Sequence, residues 1–293
     1  MSGFTPIDMS KVPAPDIVEL LDYESILAEL LVDLRARDPQ FTAIVESDPA
    51  YKILEVAAYR ELNLRQRVND AARAVMVAYA RGTDLENLAA LAPVERKLID
   101  AGDSEARPVI PPTYEADEEF RARVQMAPEG FSSAGPDGAY VFHALKVPAV
   151  RGATALSPLP GEVEVYVLSR DGDGLPDAET LAAVNGVVND REVRPLTDHV
   201  TVKPADIVNY EVKVTLYIQP GPAPSSVIES ARAAVIKYAN ERHSLGSTVP
   251  LSGIYAALHV EGVAKVELVS PVSDLAMQPE QAAYCASFEV GEG

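Results

Sequence analysis

Apolar positions recur at alternating steps of three and four along residues 16–34, where DIVELLDYESILAELLVDL sets Leu20, Tyr23, Leu27, Leu30 and Leu34 on one line. That spacing predicts a helix with an a/d seam, widened by Ile26 and Leu31. Such a helix would be about 28 Å long at 1.5 Å per residue. It needs an equally long apolar partner, and the pattern leaves open whether that partner lies in this chain or another. A second helix is predicted over 49–81, with Asp48 as cap, Pro49 at its first position and Gly82 left-handed after Arg81. Its many alanines let a neighbour approach closely. Its charged residues Arg60, Glu61, Arg65, Arg67 and Arg73 form either a solvated face or the rim of an interface. A short helix opens at Thr83 or Asp84 and is closed by Pro93.

Residues 101–112, AGDSEARPVIPP, have three prolines and no apolar period, which predicts a linker or extended arm. The acids Glu115, Asp117, Glu118 and Glu119 then precede FRARV, where they would oppose a helix dipole. Beyond residue 136 the period changes. Alternating or β-branched runs at 150–156, 162–168, 199–203, 208–218 and 263–269 predict strands, separated by helices at 177–188 and 225–240. ALKVPAVRGATALSP (144–158) also aligns without gaps to ALHVEGVAKVELVSP (257–271), with six of fifteen positions identical. In each copy a helix ends, a turn follows and a strand runs into Ser-Pro. The fold class is therefore α+β: a helical N-terminal region (1–100), a linker or arm with a short helix (101–135), and two small related α/β units (136–204 and 205–275). The segment 276–293 is read as a C-terminal tail or, through its AAYCASFEV, an edge strand.

At 293 residues and 47% apolar content, the chain is long and apolar enough to bury real cores and fold as a soluble protein. Its formal charge of −19 repels phosphate backbones and disfavours extended nucleic-acid binding, and no run of Lys or Arg supplies a basic face. No apolar run reaches membrane-spanning length, and the first residues lack the pattern of a signal peptide. The lone Cys285 cannot form an internal disulfide, which fits folding in a reducing cytoplasm.

Chemistry leaves little trace. The histidines His143, His199, His243 and His259 stand at no metal-ligand spacing from one another or from the cysteine. GFSSAG (130–135) lacks the spacing of a nucleophile elbow and reads as a loop entering a helix. Neither a phosphate loop nor a dinucleotide fingerprint occurs, so the expectation is no catalytic residue, no metal set and no cofactor. The one cluster suggestive of calcium is SRDGDGLPDAET (169–180). Numbered from Asp171, a calcium loop wants a ligand fifth, glycine sixth and glutamate twelfth, and the chain offers Leu175, Pro176 and Ala182. The cluster is better read as a strand-to-helix corner built on Asp171, Gly172, Asp173, Gly174 and Pro176. A calcium-dependent binding or adhesion module is the alternative function.

Several segments together resemble the baseplate J-like family of contractile phage tails and R-type bacteriocins. They are ARGTDLENLAALAPVER (80–96), which is similar to an A-x-G-x-x-L-x-x-L-A signature followed by V-x-R, then EADEEFRARV, APEGFSSAGPDGAYVFHAL, VEVYVLSRDGDGLPDAETLAAV and NDREVRPLTDHVTV. The likeness extends over about residues 23–271. It departs at Ala92-Pro93, where the family more often has a glycine-containing loop. The resemblance implies a non-enzymatic wedge subunit made in the bacterial cytoplasm and ending in the tail baseplate of a virion or bacteriocin particle. Implied partners are a second copy of itself, a smaller tail protein of the wedge, and the sheath-initiating and hub or spike proteins, with no nucleic acid or membrane. It also implies that the N-terminal helices enter an inter-subunit bundle, which would give Leu20, Tyr23, Leu27, Leu30 and Leu34 an intermolecular role.

Overall fold

The computed structural model describes the chain apart from residues 1–6, 8, 14, 16, 42, 43, 93, 133–135 and 222. The expected helix start at Asp16, the helix-closing Pro93 and the second half of GFSSAG therefore lie outside the described residues. Two compact units emerge. One holds the described residues up to Arg96 together with Ala116–Val124, and the other holds Lys97–Glu115 and Gln125–Gly293.

In the first unit, helix α1 (Tyr23–Arg37) begins seven residues later than its apolar period predicts. The cap explains this. Asp22 takes the cap position by accepting the Ser25 amide at 2.8 Å. Just upstream, Asn69 of helix α2 (Pro49–Ala74) grips Glu19 at both main-chain groups, accepting its N–H at 3.0 Å and donating to its carbonyl at 2.9 Å. Glu19 is thus held from the side just ahead of the capped start. The start of α2 is as expected, with Pro49 in its first turn and Asp48 accepting the Ala50 amide. Its end is not: α2 stops at Ala74, and residues 75–80 form tight turns. Gly82 is left-handed (φ 50°) but sits at the entry to α3 (Gly82–Ala89).

Residues 101–112, expected as an open arm, fold back on themselves. Strands β1 (Leu98–Asp100) and β2 (Thr113–Tyr114) pair antiparallel, and further out Asp103 and Ile110 exchange both main-chain bonds, at 2.8 and 2.9 Å. The Asp103 carboxylate accepts the Glu105 and Ala106 amides and so turns the chain. Gly102 is required where it stands: at φ 66° its missing Cβ would lie 2.3 Å from the Ile110 oxygen. The prolines do not prevent the hairpin because Ile110 supplies the amide needed at that bridge. At its base, the Glu115 amide donates to Lys97 O, and the Lys97 amide donates to the Glu115 carboxylate. Helix α4 (Asp117–Met126) follows.

The remainder consists of two three-stranded sheets, each with two helices. The first has α5 (Asp137–Ala144), β3 (Val150–Leu156), β4 (Glu162–Ser169), α6 (Ala178–Val188) and β5 (His199–Pro204). Its order is β3-β4-β5, with β3 antiparallel and β5 parallel to the central strand. Tyr140, Val150, Val165, Val167, Val184 and Val188 fill its core. The second has β6 (Asp206–Ile218), α7 (Pro224–Arg242), α8 (Leu251–Leu258), β7 (Val263–Ser270) and β8 (Gln281–Glu292), in the order β7-β6-β8. Here too one neighbour is antiparallel and the other parallel to the centre. The expected edge strand in AAYCASFEV is part of β8, which borders β6 alone among the named strands. The face of β6 that carries Lys213 and Tyr217 is solvated and laced by cross-strand pairs, Lys213 with Glu289 at 2.6 Å and Tyr217 with Glu267 at 3.1 Å.

The internal repeat falls on matching parts of these units. Val150 opens β3 and its aligned partner Val263 opens β7, both buried, each just after a short helix. Threading differs, however. The helix-strand pair α5-β3 precedes its central strand, whereas α8-β7 is inserted between α7 and the last strand. The two units are therefore the same sheet reached by different chain orders.

Packing between α7 and α8 is close at Gly253, where an added Cβ would lie 2.0 Å from the Tyr238 hydroxyl. Gly253→Ala is expected to reduce stability by about 1–3 kcal/mol through overpacking, measured by denaturant unfolding of the whole chain.

Candidate assembly surfaces and the motif residues

The corner after β4 is a turn closed on its own backbone. Ser169 N–H donates to Gly174 O at 2.6 Å and Gly174 N–H to Asp171 O at 3.2 Å, with Gly172 and Gly174 at φ 63° and 93°. Asp173 accepts the Leu175 amide, and past Pro176 the Asp177 carboxylate caps α6 at the Thr180 amide, 2.7 Å away. These two carboxylates thus have local amide partners. The Thr180 amide and hydroxyl hold the Asp177 carboxyl below its usual range. Among the described residues no three His, Cys, Asp or Glu side chains are grouped to hold a metal ion. Added calcium is expected to leave the melting temperature unchanged and to give no heat in a calorimetric titration at millimolar concentration.

The motif residues meet elsewhere, around Phe120. In ARGTDLENLAALAPVER, Ala80, Leu85 and Ala89 are buried, with Leu85 and Ala89 forming the inner face of α3. The Gly82 amide and the Arg96 guanidinium both donate to Asp117 of α4, and Arg96 also pairs with Glu86 at 2.7 Å. Arg96 lies 4.7 Å over the ring of Phe120, which is wholly buried. Arg121, only 4% exposed, donates to the carbonyls of Val77 and Ala80 at 2.6 Å and pairs with Glu118. Arg123 donates to the Glu95 carbonyl. Asp117, read as a dipole partner of α4, thus also makes tertiary bonds. Burial alone would raise the Asp117 carboxyl, but the bonds from Arg96 and Gly82 outweigh it and hold that carboxyl below its usual range. A carboxyl depressed by folding contributes stability that is present above its unfolded value and lost as pH falls through the folded one. Asp117→Asn is expected to flatten the acid limb of the stability profile, read by circular dichroism during acid titration.

PDGAYVFHAL and NDREVRPLTDHV meet in a similar way. The Tyr140 hydroxyl donates to Asp198 at 2.7 Å, and Arg194 donates to the Asp198 carbonyl at 2.8 Å. Burial, then the Asp198 carboxylate, push the Tyr140 hydroxyl far above its ordinary value.

The residues expected at an interface divide between two settings. Ile26 and Leu27 are buried against Ala58 of α2, with Tyr23, Leu30, Leu31, Tyr51, Leu54 and Leu62 packed around them. Leu34 is half-buried near the end of α1, and Leu20 is fully exposed ahead of it. The seam of α1 therefore has α2 as its partner. What lacks a partner among the described residues is the opposite face of α2, where Ile53, Leu64 and Val68, with Val75 at the cap and Val56 beside them, are each more than half exposed. Their spacing of eleven, four and seven residues keeps them on one side of the helix. Exposed Arg60 and Arg67 lie along the same side and make no ion pair among the described residues. The outer face of α1 carries exposed Glu24, Glu29 and Asp33 beside Val32. The α2 stripe escapes a linear reading because arginines interrupt it and a second apolar face runs opposite. A wheel of α2 that treats both faces separately would have shown it.

Residues 46–103 match the model of the baseplate J-like N-terminal domain, and residues 132–204 match that of the baseplate J-like central domain. The second range ends with the last strand of the first sheet. Over 295 aligned positions the chain is 43% identical to baseplate protein J of Escherichia phage P2, covering 98% of each protein.

Proposed function

The chain belongs to the baseplate J-like family and has a structural role in a phage tail baseplate, and from that premise we propose that it is a wedge subunit that assembles through its N-terminal helices. In this reading two copies join a smaller tail protein, and the wedges close into a ring around the spike hub that also holds sheath-initiating proteins. The same part suits a virion or an R-type bacteriocin particle. No catalytic step is assigned to it.

The observation that carries the reading is the unpartnered stripe of α2. An exposed apolar face on a long helix marks a place where another element packs. Its arginines suit an acidic helix, of which the outer face of α1 in a second copy is one example. Tyr23, Leu27 and Leu30 support that surface from beneath, and Leu20 adds to the exposed apolar area. The double substitution Leu27→Asp with Leu30→Asp would open the α1–α2 core and so would not separate folding from assembly.

Leu64→Asp with Val68→Asp does separate them. Both side chains are exposed, so stability is expected to change by no more than about 0.5 kcal/mol each. Co-expression with the neighbouring tail genes, followed by mass measurement of the complex, should show that the variant no longer assembles. Normal assembly of a folded variant would remove this surface from the reading.

A further inference from the structure

His243 follows α7 and is 6% exposed. Its Nδ1–H donates to the Ala283 carbonyl of β8 at 2.8 Å, which leaves Nε2 as the lone-pair nitrogen. That atom is buried and has no hydrogen-bond partner among the described residues. Against it sits the corner after β4: a Cβ on Gly174 would stand 2.8 Å from Nε2 and 2.5 Å from Leu168 Cδ1. Backbone of the first sheet unit is thus seated on an imidazole of the second. Leu168, Ala205 and Ala282 form a small apolar cluster that also draws on both units, and Arg151 of β3 donates to Asn240 O at 2.6 Å.

We propose that this seat is a proton-sensitive latch between the two sheet units, closed while His243 is neutral and released when Nε2 takes up a proton. Protonation would add an N–H and a charge at a buried position that has no hydrogen-bond partner among the described residues, which is unfavourable unless the ring or the turn moves. The charged surroundings act in both directions. Arg151 repels the cation, and Asp173 of the turn attracts it. On α7 itself Glu241 and Arg242 are exposed, Arg242 lying 5.5 Å over the Tyr238 ring. From β8 the ring of Tyr284 stands edge-on at 5.4 Å. Burial has the largest effect and depresses the imidazole below its ordinary value; the Ala283 bond works against it. The stability contributed by the neutral ring is therefore complete above the ordinary imidazole value and is lost as pH falls through the depressed one. Each unit keeps its own apolar core, so release would let one shift against the other without unfolding either. This inference is independent of the wedge reading.

The test uses the full chain. The imidazole resonances of the four histidines are followed by NMR from neutral to acid pH, with His243→Gln to assign the signal. Amide exchange at Ser169 and Gly174 is measured over the same range, relative to unstructured rates at each pH. The expected result is that His243 titrates below the ordinary imidazole range and that protection at these amides is lost with it, while core strands stay protected. His243→Gln should show no such acid step, and Gly174→Ala should expose the turn at neutral pH. The latch is refuted if His243 titrates at or above the ordinary range, if protection persists through its titration, or if the glutamine variant loses protection in the same way. Should that variant fail to fold, the wild-type titration and exchange decide the question by themselves.

Discussion

A buried guanidinium organises the helical unit. Arg121 would be costly to enclose without partners, and the nearest that can meet its fork of donors are the carbonyls of Val77 and Ala80, with Glu118 beside it. Those carbonyls belong to the turns that follow α2, after which the chain enters α3 through Gly82. That places the Gly82 amide on Asp117, which in turn receives Arg96, stacked over Phe120. The family signature around residues 80–96 and the EADEEFRARV segment are thus two halves of one joint.

The sheet region obeys a different constraint. A three-stranded sheet with one covered face is defined by which strands are neighbours and which side chains point inward, and less by chain order. Both units meet that condition with a central strand between one antiparallel and one parallel neighbour. Moving the helix-strand pair from before the centre to after it leaves the same packing, and Val150 and Val263 keep equivalent buried positions. For a baseplate part, such separately cored units provide rigid surfaces, while the polar seat at His243 and Gly174 lies between two of them.

Most elements could be read within a few residues because the periods of helix and strand survive in the order of residues. The errors share a cause. Asn69 holds Glu19, fifty residues away, ahead of α1, and Arg121 holds a carbonyl past the end of α2 across more than forty. The proline-rich stretch became a hairpin because Asp103 and Ile110 pair across a turn whose stability depends on Gly102 lying against a carbonyl. The motifs of the middle segments could be recognised but not explained until Tyr140 was found on Asp198 and Gly174 on His243.

Local signals needed no tertiary context: the cap at Asp48, the double-glycine corner, the alternation of buried strand residues and the membership of the family can all be read along the chain. Each depends on neighbours a few residues apart. Which apolar face of the helical pair is closed and which is left for a partner was decided only by folding. The seam of α1 and the inner face of α2 satisfy each other, and the arginine-broken stripe on the far side remains exposed. Periodicity shows that a face is apolar; what covers it depends on side chains brought together from distant positions.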